Sequence, residues 1–248
     1  MRYVGREQRR FDEPAYDEHG SNRPCGGFTE PVQVAQLLPS TRRRGMLGGM
    51  AKPVAKLAVL IKPKHVWVPA LLITGMLLVA IVYLRWQGRV WWCEQGDWWP
   101  MSIEVNSPHN SQHVFDAYSL SHVLHGVLFY GFFWLFRAPM SLGWRLVAAT
   151  AVEVTWEMME NSPLIINRYR AATIAVGYQG DSIINSLGDV LSFVVGFYVG
   201  QRLALWKSVL FFLAVDLGML WMIRDNLALN VLMLLWPIDA IRSWQAAG

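Results

Sequence analysis

His122 and His125, three residues apart, sit with Ser119 in a stretch apolar enough to cross a bilayer. The next such stretch carries Glu153, Glu157 and Glu160, and the one after it Asp181, Asn185 and Asp189. An ionisable side chain inside a membrane helix costs about 2.5 kcal/mol or more to insert, so these residue types in these places point to a functional site. A helix turns about 100° per residue, which puts positions three and four apart on one face. By that spacing the two histidines share a face, the three glutamates form a narrow stripe, and Asp181, Asn185, Gly188, Asp189, Ser192 and Gly196 form another. The small residues of this last stripe admit a neighbouring backbone, so it is expected to point into a helix bundle.

Depth agrees with face. Successive spans run in opposite directions, and the histidines come early in theirs, Glu157 and Glu160 late in the next, and Asp181, Asn185 and Asp189 early in the third. All therefore fall in one leaflet. Asp216, midway along a later apolar stretch, is a further candidate near the membrane centre.

Four kinds of chemistry fit such a cluster. His122, His125 and Glu157 could hold a divalent metal as cofactor, as carboxylate-histidine centres do in bundle cores, although no HExxH, ExxH or cysteine spacing specifies one. Without metal, crowded carboxylates and imidazoles divide protons among themselves, with Glu157 or Glu160 as base or acid and a histidine as shuttle. A pocket open to the outer leaflet would then suit a lipid-linked substrate or a headgroup, with Arg168 and Arg170 either attracting phosphate or serving as ordinary loop residues. A proton or ion path is a third reading, against which the charges gather in one half of the membrane and no internal repeat is visible. In the fourth the network is non-enzymatic and only holds helices together, at roughly one kcal/mol per interhelical polar bond.

The elements that must carry these residues follow from composition. Of 248 residues 54% are hydrophobic and 16% charged, with 13 tryptophans, which fits a multi-pass membrane protein and not an ordinary soluble domain. Residues 1–65 hold 12 of the 22 Lys and Arg and are expected to form a disordered, basic cytoplasmic tail, within which 1–45 is left untranslated if synthesis starts at Met46 or Met50. Residues 66–248 are expected to form an all-α bundle of five or six membrane helices: Val66 to Leu84, Ser119 to Phe136, Gly143 to about Asn161, Asp181 to about Leu203, Val209 to Ile223, and a short stretch, Leu227 to Trp236, that either tilts across or re-enters. Lys52, Lys56, Lys62 and Lys64 precede the first span, which places the amino terminus in the cytoplasm of a bacterial inner membrane.

The remaining signals are simpler. Basic residues before the first span suit membrane lipids as partners, and no motif for nucleic acid is present. Cys25 and Cys93 are expected on opposite membrane faces, unbridged and without metal-type spacing. Trp91, Trp92, Trp98 and Trp99 suggest an amphipathic element in the outer headgroup layer. His109, His113 and Asp116 belong to a solvated loop or join the site, His65 is an interfacial anchor, and Asp181, after a turn at Gly180, is expected to cap its helix. Oligomeric state and substrate are not legible.

The blocks DAYSLSHVLHG (Asp116 to Gly126), EVTWEMMENSP (Glu153 to Pro163), YQGDSIINSLGD (Tyr178 to Asp189) and DNLALNVLMLLWPI (Asp225 to Ile238) occur in this order. Through them the chain, from about residue 50 to its end, resembles uncharacterised protein family 314, multi-pass membrane proteins of alphaproteobacteria. The resemblance implies an inner-membrane location and no established activity. The chain is also similar to VanZ-like membrane proteins, a group linked to glycopeptide resistance, in a histidine early in one helix, an acid in the next, and the spacing of Asp181, Asn185 and Gly188. It departs from them in Trp156, where a glutamine is expected after Glu153, and in its second histidine. That likeness implies roles for His125, Glu153, Asp181 and Asn185.

Overall fold

The computed structural model describes residues 67–173, 175 and 177–247, so the tail, its alternative starts, Cys25 and His65 lie outside the described residues. Among the latter there are eight helices: α1 (Trp67–Trp86), α2 (Ser119–Trp134), α3 (Leu142–Glu160), α4 (Pro163–Ala172), α5 (Ile183–Arg202), α6 (Leu205–Ile223), α7 (Leu227–Leu235) and α8 (Asp239–Ala246). Two-residue strands β1 (Met101–Ser102) and β2 (Phe115–Asp116) pair in parallel within the connection between α1 and α2. The fold is all-α.

α1, α5 and α6 are long and apolar enough to cross a membrane. α2, at 16 residues, measures about 24 Å at roughly 1.5 Å per residue, short of a hydrocarbon core of about 30 Å. α3 has the length but carries three glutamates and Arg145. Of the five or six spans expected, three thus meet the requirement by themselves. Large side chains on α1 and α6 point outward, among them Leu78, Val82, Leu205, Leu213 and Trp221, the last 87% exposed, whereas Asp216 on α6 is turned inward. Apolar outside and polar inside is the profile of a protein dissolved in lipid.

Helix starts are set by short polar side chains. Ser141, Ser182 and Asn226 accept the backbone N–H of Trp144, Asn185 and Leu229 respectively, and so begin α3, α5 and α7. The cap of α5 is therefore Ser182 and not Asp181, which is left free for other partners. Ser162 followed by Pro163 opens α4, a helix hidden from sequence reading because Pro163 also ends α3. The apolar stretch from Leu227 forms the nine-residue α7, about 13 Å long and too short to span. Its N-terminus is held by Asp216, whose Oδ1 accepts from Leu227 N at 3.1 Å and whose Oδ2 accepts from Asn226 Nδ2 at 2.8 Å. Asp216 is thereby given a structural task, apart from the histidine cluster.

α2 and α5 pack most closely. A Cβ at Gly196 would overlap the backbone carbonyl of Val123, one at Gly126 that of Phe193, and one at Gly188 that of Val114. The predicted small-residue face does point into the bundle. Leu146, Ala149, Phe193 and Phe197 form the core beside this contact, and Ala80, Val154 and Val190 join α1 to α3 and α5. The connection from Gln87 to Tyr118 is an irregular loop apart from β1 and β2, in place of the expected amphipathic element, with Trp98 and Trp99 exposed. It is tied to the start of α5 by Ile183 N to Val90 O (2.8 Å) and Ser182 N to Ser111 O (2.9 Å).

Candidate functional site

α2, α3 and α5 bring most of the predicted residues together around His122. Its Nδ1 lies 2.6 Å from Glu153 Oε1 and 3.4 Å from Glu157 Oε1, and its Nε2 lies 3.9 Å from Asp189 Oδ2. His125, one turn on, places Nδ1 3.5 Å from Glu153 Oε2, within ion-pair distance of it but without a well-aligned hydrogen bond. Glu153, Glu157 and Asp189 are each at most 3% exposed. Neither oxygen of Glu157 has a well-aligned hydrogen bond, despite its closeness to His122. Asp189 Oδ1 accepts from Ser119 Oγ at 2.7 Å.

Asp181 anchors a neighbouring set. Its Oδ1 accepts from Tyr178 OH and its Oδ2 from Asn161 Nδ2, both at 2.8 Å, while its own N–H donates to Asn161 Oδ1 at 2.7 Å. The turn expected at Gly180 is present, with φ +91°. Asn185 is fully buried with neither amide atom bonded, and it does not line the cavity described next.

A cavity of about 210 Å³ opens beside these residues. Its lining includes His122, His125, Glu160, Asp181 and Asp189, with Tyr118, Tyr169 and Tyr178, and from α7 Leu227, Asn230, Val231, Leu234 and Leu235. No Lys or Arg is among the lining residues. Arg168 and Arg170 lie on α4 and are spent on structure: Arg168 donates to the carbonyls of Leu234 and Leu235, and Arg170 to the carbonyl of Tyr178 and to Gln179 Oε1. Neither is placed to attract a phosphate into the cavity.

Five carboxyl groups, Glu153, Glu157, Glu160, Asp181 and Asp189, face two imidazoles in a water-poor interior. Such a set keeps protons or a cation, because uncompensated buried charges are costly. Two groups have ligand atoms within 4.8 Å of one another, His122 with His125 and Glu153, and His122 with Glu157 and Glu160. The metal trio expected from sequence is thus altered, since Glu153 and not Glu157 reaches both imidazoles.

Asp116 does join the site: it lines the cavity, accepts from Ser111 Oγ, Tyr118 N and Ser119 N, and burial pushes its carboxyl above the usual range. His109 and His113 do not. The sequence reading missed the three tyrosines and Asn161. Tyr169 was hidden with α4, and only the proximity of Tyr178 to Asp181 across the Gly180 turn could have marked it.

Tyr118 also donates to Asp225 Oδ2 at 3.1 Å. Burial pushes the Asp225 carboxyl up, against donors from Asn226, Asn230 and Tyr118 that favour its ionised form. Between its unfolded and folded values the native state keeps a proton that the unfolded chain has lost, so stability falls as pH rises through that window. Thermal midpoints are expected to drop as pH is raised from about 4, and Asp225→Asn to flatten that decline. An unchanged slope in the variant would mean that Asp225 does not titrate differently on folding.

With the site in view, comparison with known proteins identifies close relatives. A family model described as a protein of unknown function (DUF2585) matches residues 84–247. The chain is 48% identical over 172 residues to a UPF0314 protein of Paracoccus denitrificans, covering 69% of this chain and 89% of that one. It is 43% identical over 185 residues to a UPF0314 protein of Sinorhizobium fredii (75% and 94% covered) and 46% identical over 173 residues to one of Agrobacterium fabrum (70% and 87%). These agree with the resemblance to family 314 and lend no support to the VanZ likeness. No solved structure matches.

Proposed function

Because the chain belongs to DUF2585, the UPF0314 proteins of unknown function, its activity has to be reasoned from the site, and we propose that it binds a lipid or lipid-linked headgroup in the cavity and exchanges protons with it. The mixed lining carries this reading: the leucines and valine of α7 suit an acyl chain, and the carboxylates, imidazoles and phenols, with Asn230, suit a polar head. With no Lys or Arg in that lining, the head is of the amine- or hydroxyl-bearing kind. Glu153 accepts the Nδ1 proton of His122, which leaves Nε2 as the basic atom on the cavity side, beside Asp189. Glu160, also in the lining, is the second proton-exchanging group.

In this proposal the protein lies in the inner membrane with membrane lipids as partners. α2 and α3 cross beside α1, α5 and α6, the lysines before α1 hold the amino terminus in the cytoplasm, and the cavity faces the periplasmic leaflet. Protein exchanged into nanodiscs of bacterial inner-membrane lipid extract and then stripped of bulk lipid is expected to retain one lipid class, identified by native mass spectrometry. Retention should fall about tenfold or more in Glu160→Gln and Asp189→Asn at unchanged melting temperature, as loss of a charge-assisted contact predicts. Equal retention in all three proteins would overturn the proposal.

A divalent cation at His122, His125 and Glu153 is the second reading, favoured by the convergence of their ligand atoms. Metal content that drops in a folded His122→Ala/His125→Ala variant supports it, and equal content removes it.

A further inference from the structure

Away from the cavity, the loop between α1 and α2 gathers four metal-binding side chains from positions 93–113. Cys93 Sγ is 3.4 Å from His109 Nδ1, and His113 Nε2 is 3.4 Å from the same nitrogen. Asp97 Oδ2 lies 3.9 Å from His109 Nδ1 and 3.9 Å from His113 Nε2. Cys93 is buried and unbridged, and His113 is fully buried. None of the four lines the cavity.

We propose that Cys93, Asp97, His109 and His113 form a tetrahedral site for a zinc-class divalent cation that holds this loop together. Hydrogen bonding alone accounts poorly for the arrangement. His113 Nδ1 is 2.5 Å from the Trp99 carbonyl and so carries its proton there, leaving the lone pair of Nε2 aimed at His109 Nδ1. That one nitrogen of His109 meets a thiol, an imidazole lone pair and a carboxylate, and a single N–H satisfies only one of them. A cation satisfies all of them. Metal bonds of about 2.0–2.3 Å at tetrahedral angles separate ligand atoms by about 3.3–3.6 Å, close to the two 3.4 Å separations among Cys93, His109 and His113, and Asp97, 3.9 Å from both imidazole nitrogens, is the nearest fourth ligand. The backing of His113 by a carbonyl is the usual support of a metal-bound imidazole. The loop needs such a clasp, since two-residue strands are its only regular structure between α1 and α2.

The chain has two cysteines, so Cys25→Ser leaves Cys93 as the sole thiol. Loaded with cobalt(II), this full-length protein in detergent is expected to show a thiolate-to-cobalt charge-transfer band and tetrahedral visible bands, bleached by one equivalent of zinc. The additional change Cys93→Ser should abolish the charge-transfer band, and His113→Gln should weaken the cobalt binding that this band reports about a hundredfold or more. Absence of the thiolate band in the Cys25→Ser protein overturns the proposal whether or not the ligand variants fold, as does undiminished affinity in His113→Gln.

Discussion

Gly196→Ala is expected to destabilise the protein by about 3 kcal/mol, the upper end for overpacking of a well-filled interior, and to lower its melting temperature by roughly 6–12 °C for a chain of this size. The new methyl group meets the carbonyl and Cα of Val123, which are backbone and cannot rotate aside. Relief requires α2 and α5 to separate. Gly131→Ala is the matched control, for it also lies in a helix but has nothing within 4 Å of its added Cβ, and it should be neutral or gain up to about 1 kcal/mol from helix propensity. Thermal unfolding in detergent separates the two variants. Equal melting temperatures would show that α2 and α5 do not approach so closely.

The second large effect is expected at Glu153. Glu153→Leu removes the acceptor of a buried imidazole N–H and should cost about 3–5 kcal/mol, the usual penalty for orphaning one member of a buried polar pair. Glu153→Gln keeps an acceptor of the same shape and should cost about 1 kcal/mol. His122→Leu/Glu153→Leu should recover part of the loss, because the hydrogen-bonded pair then leaves together while His125 still loses its nearest carboxylate. A double-mutant cycle of the unfolding free energies measures this coupling, and strict additivity would refute direct pairing. Lipid retention should be lost in Glu153→Gln even where folding survives, since an amide does not fix the imidazole tautomer as a carboxylate does.

Periodicity and depth carried a good part of this arrangement. His122, His125, Glu153, Glu157 and Asp189 were each placed by counting along helices, and the structure joins them because helical spacing is nearly rigid. What could not be counted was missed. α4 and its Tyr169 were lost because Pro163 was read as a stop and not also as a start. Its position midway along an apolar stretch marks Asp216 as a further candidate, yet it holds the start of α7, a contact between elements that no single-helix pattern encodes. For His109 and His113 the sequence offers a solvated loop or a place in the site, and the structure shows neither for His113, which is fully buried away from the cavity; irregular backbone has no period from which such burial could be read. Arg168 and Arg170 were near enough in sequence to suggest phosphate, but carbonyls at the end of α7 and in the turn before α5 occupy them.

The pairing of α2 with α3 also bears on how the chain is made. A charged residue at the centre of a helix leaving the translocon costs about 2.5–3.5 kcal/mol, and α3 brings three glutamates together with Arg145, which is buried and stacked 5.7 Å from the Tyr130 ring of α2. Alone, α3 is a poor substrate for lateral release into lipid. The helix that emerges just before it carries His122, His125 and Tyr130, the partners its charges require. In the proposed topology, where α2 and α3 both cross, biogenesis should therefore treat them as one hairpin, with α2 waiting at the exit until its sibling arrives.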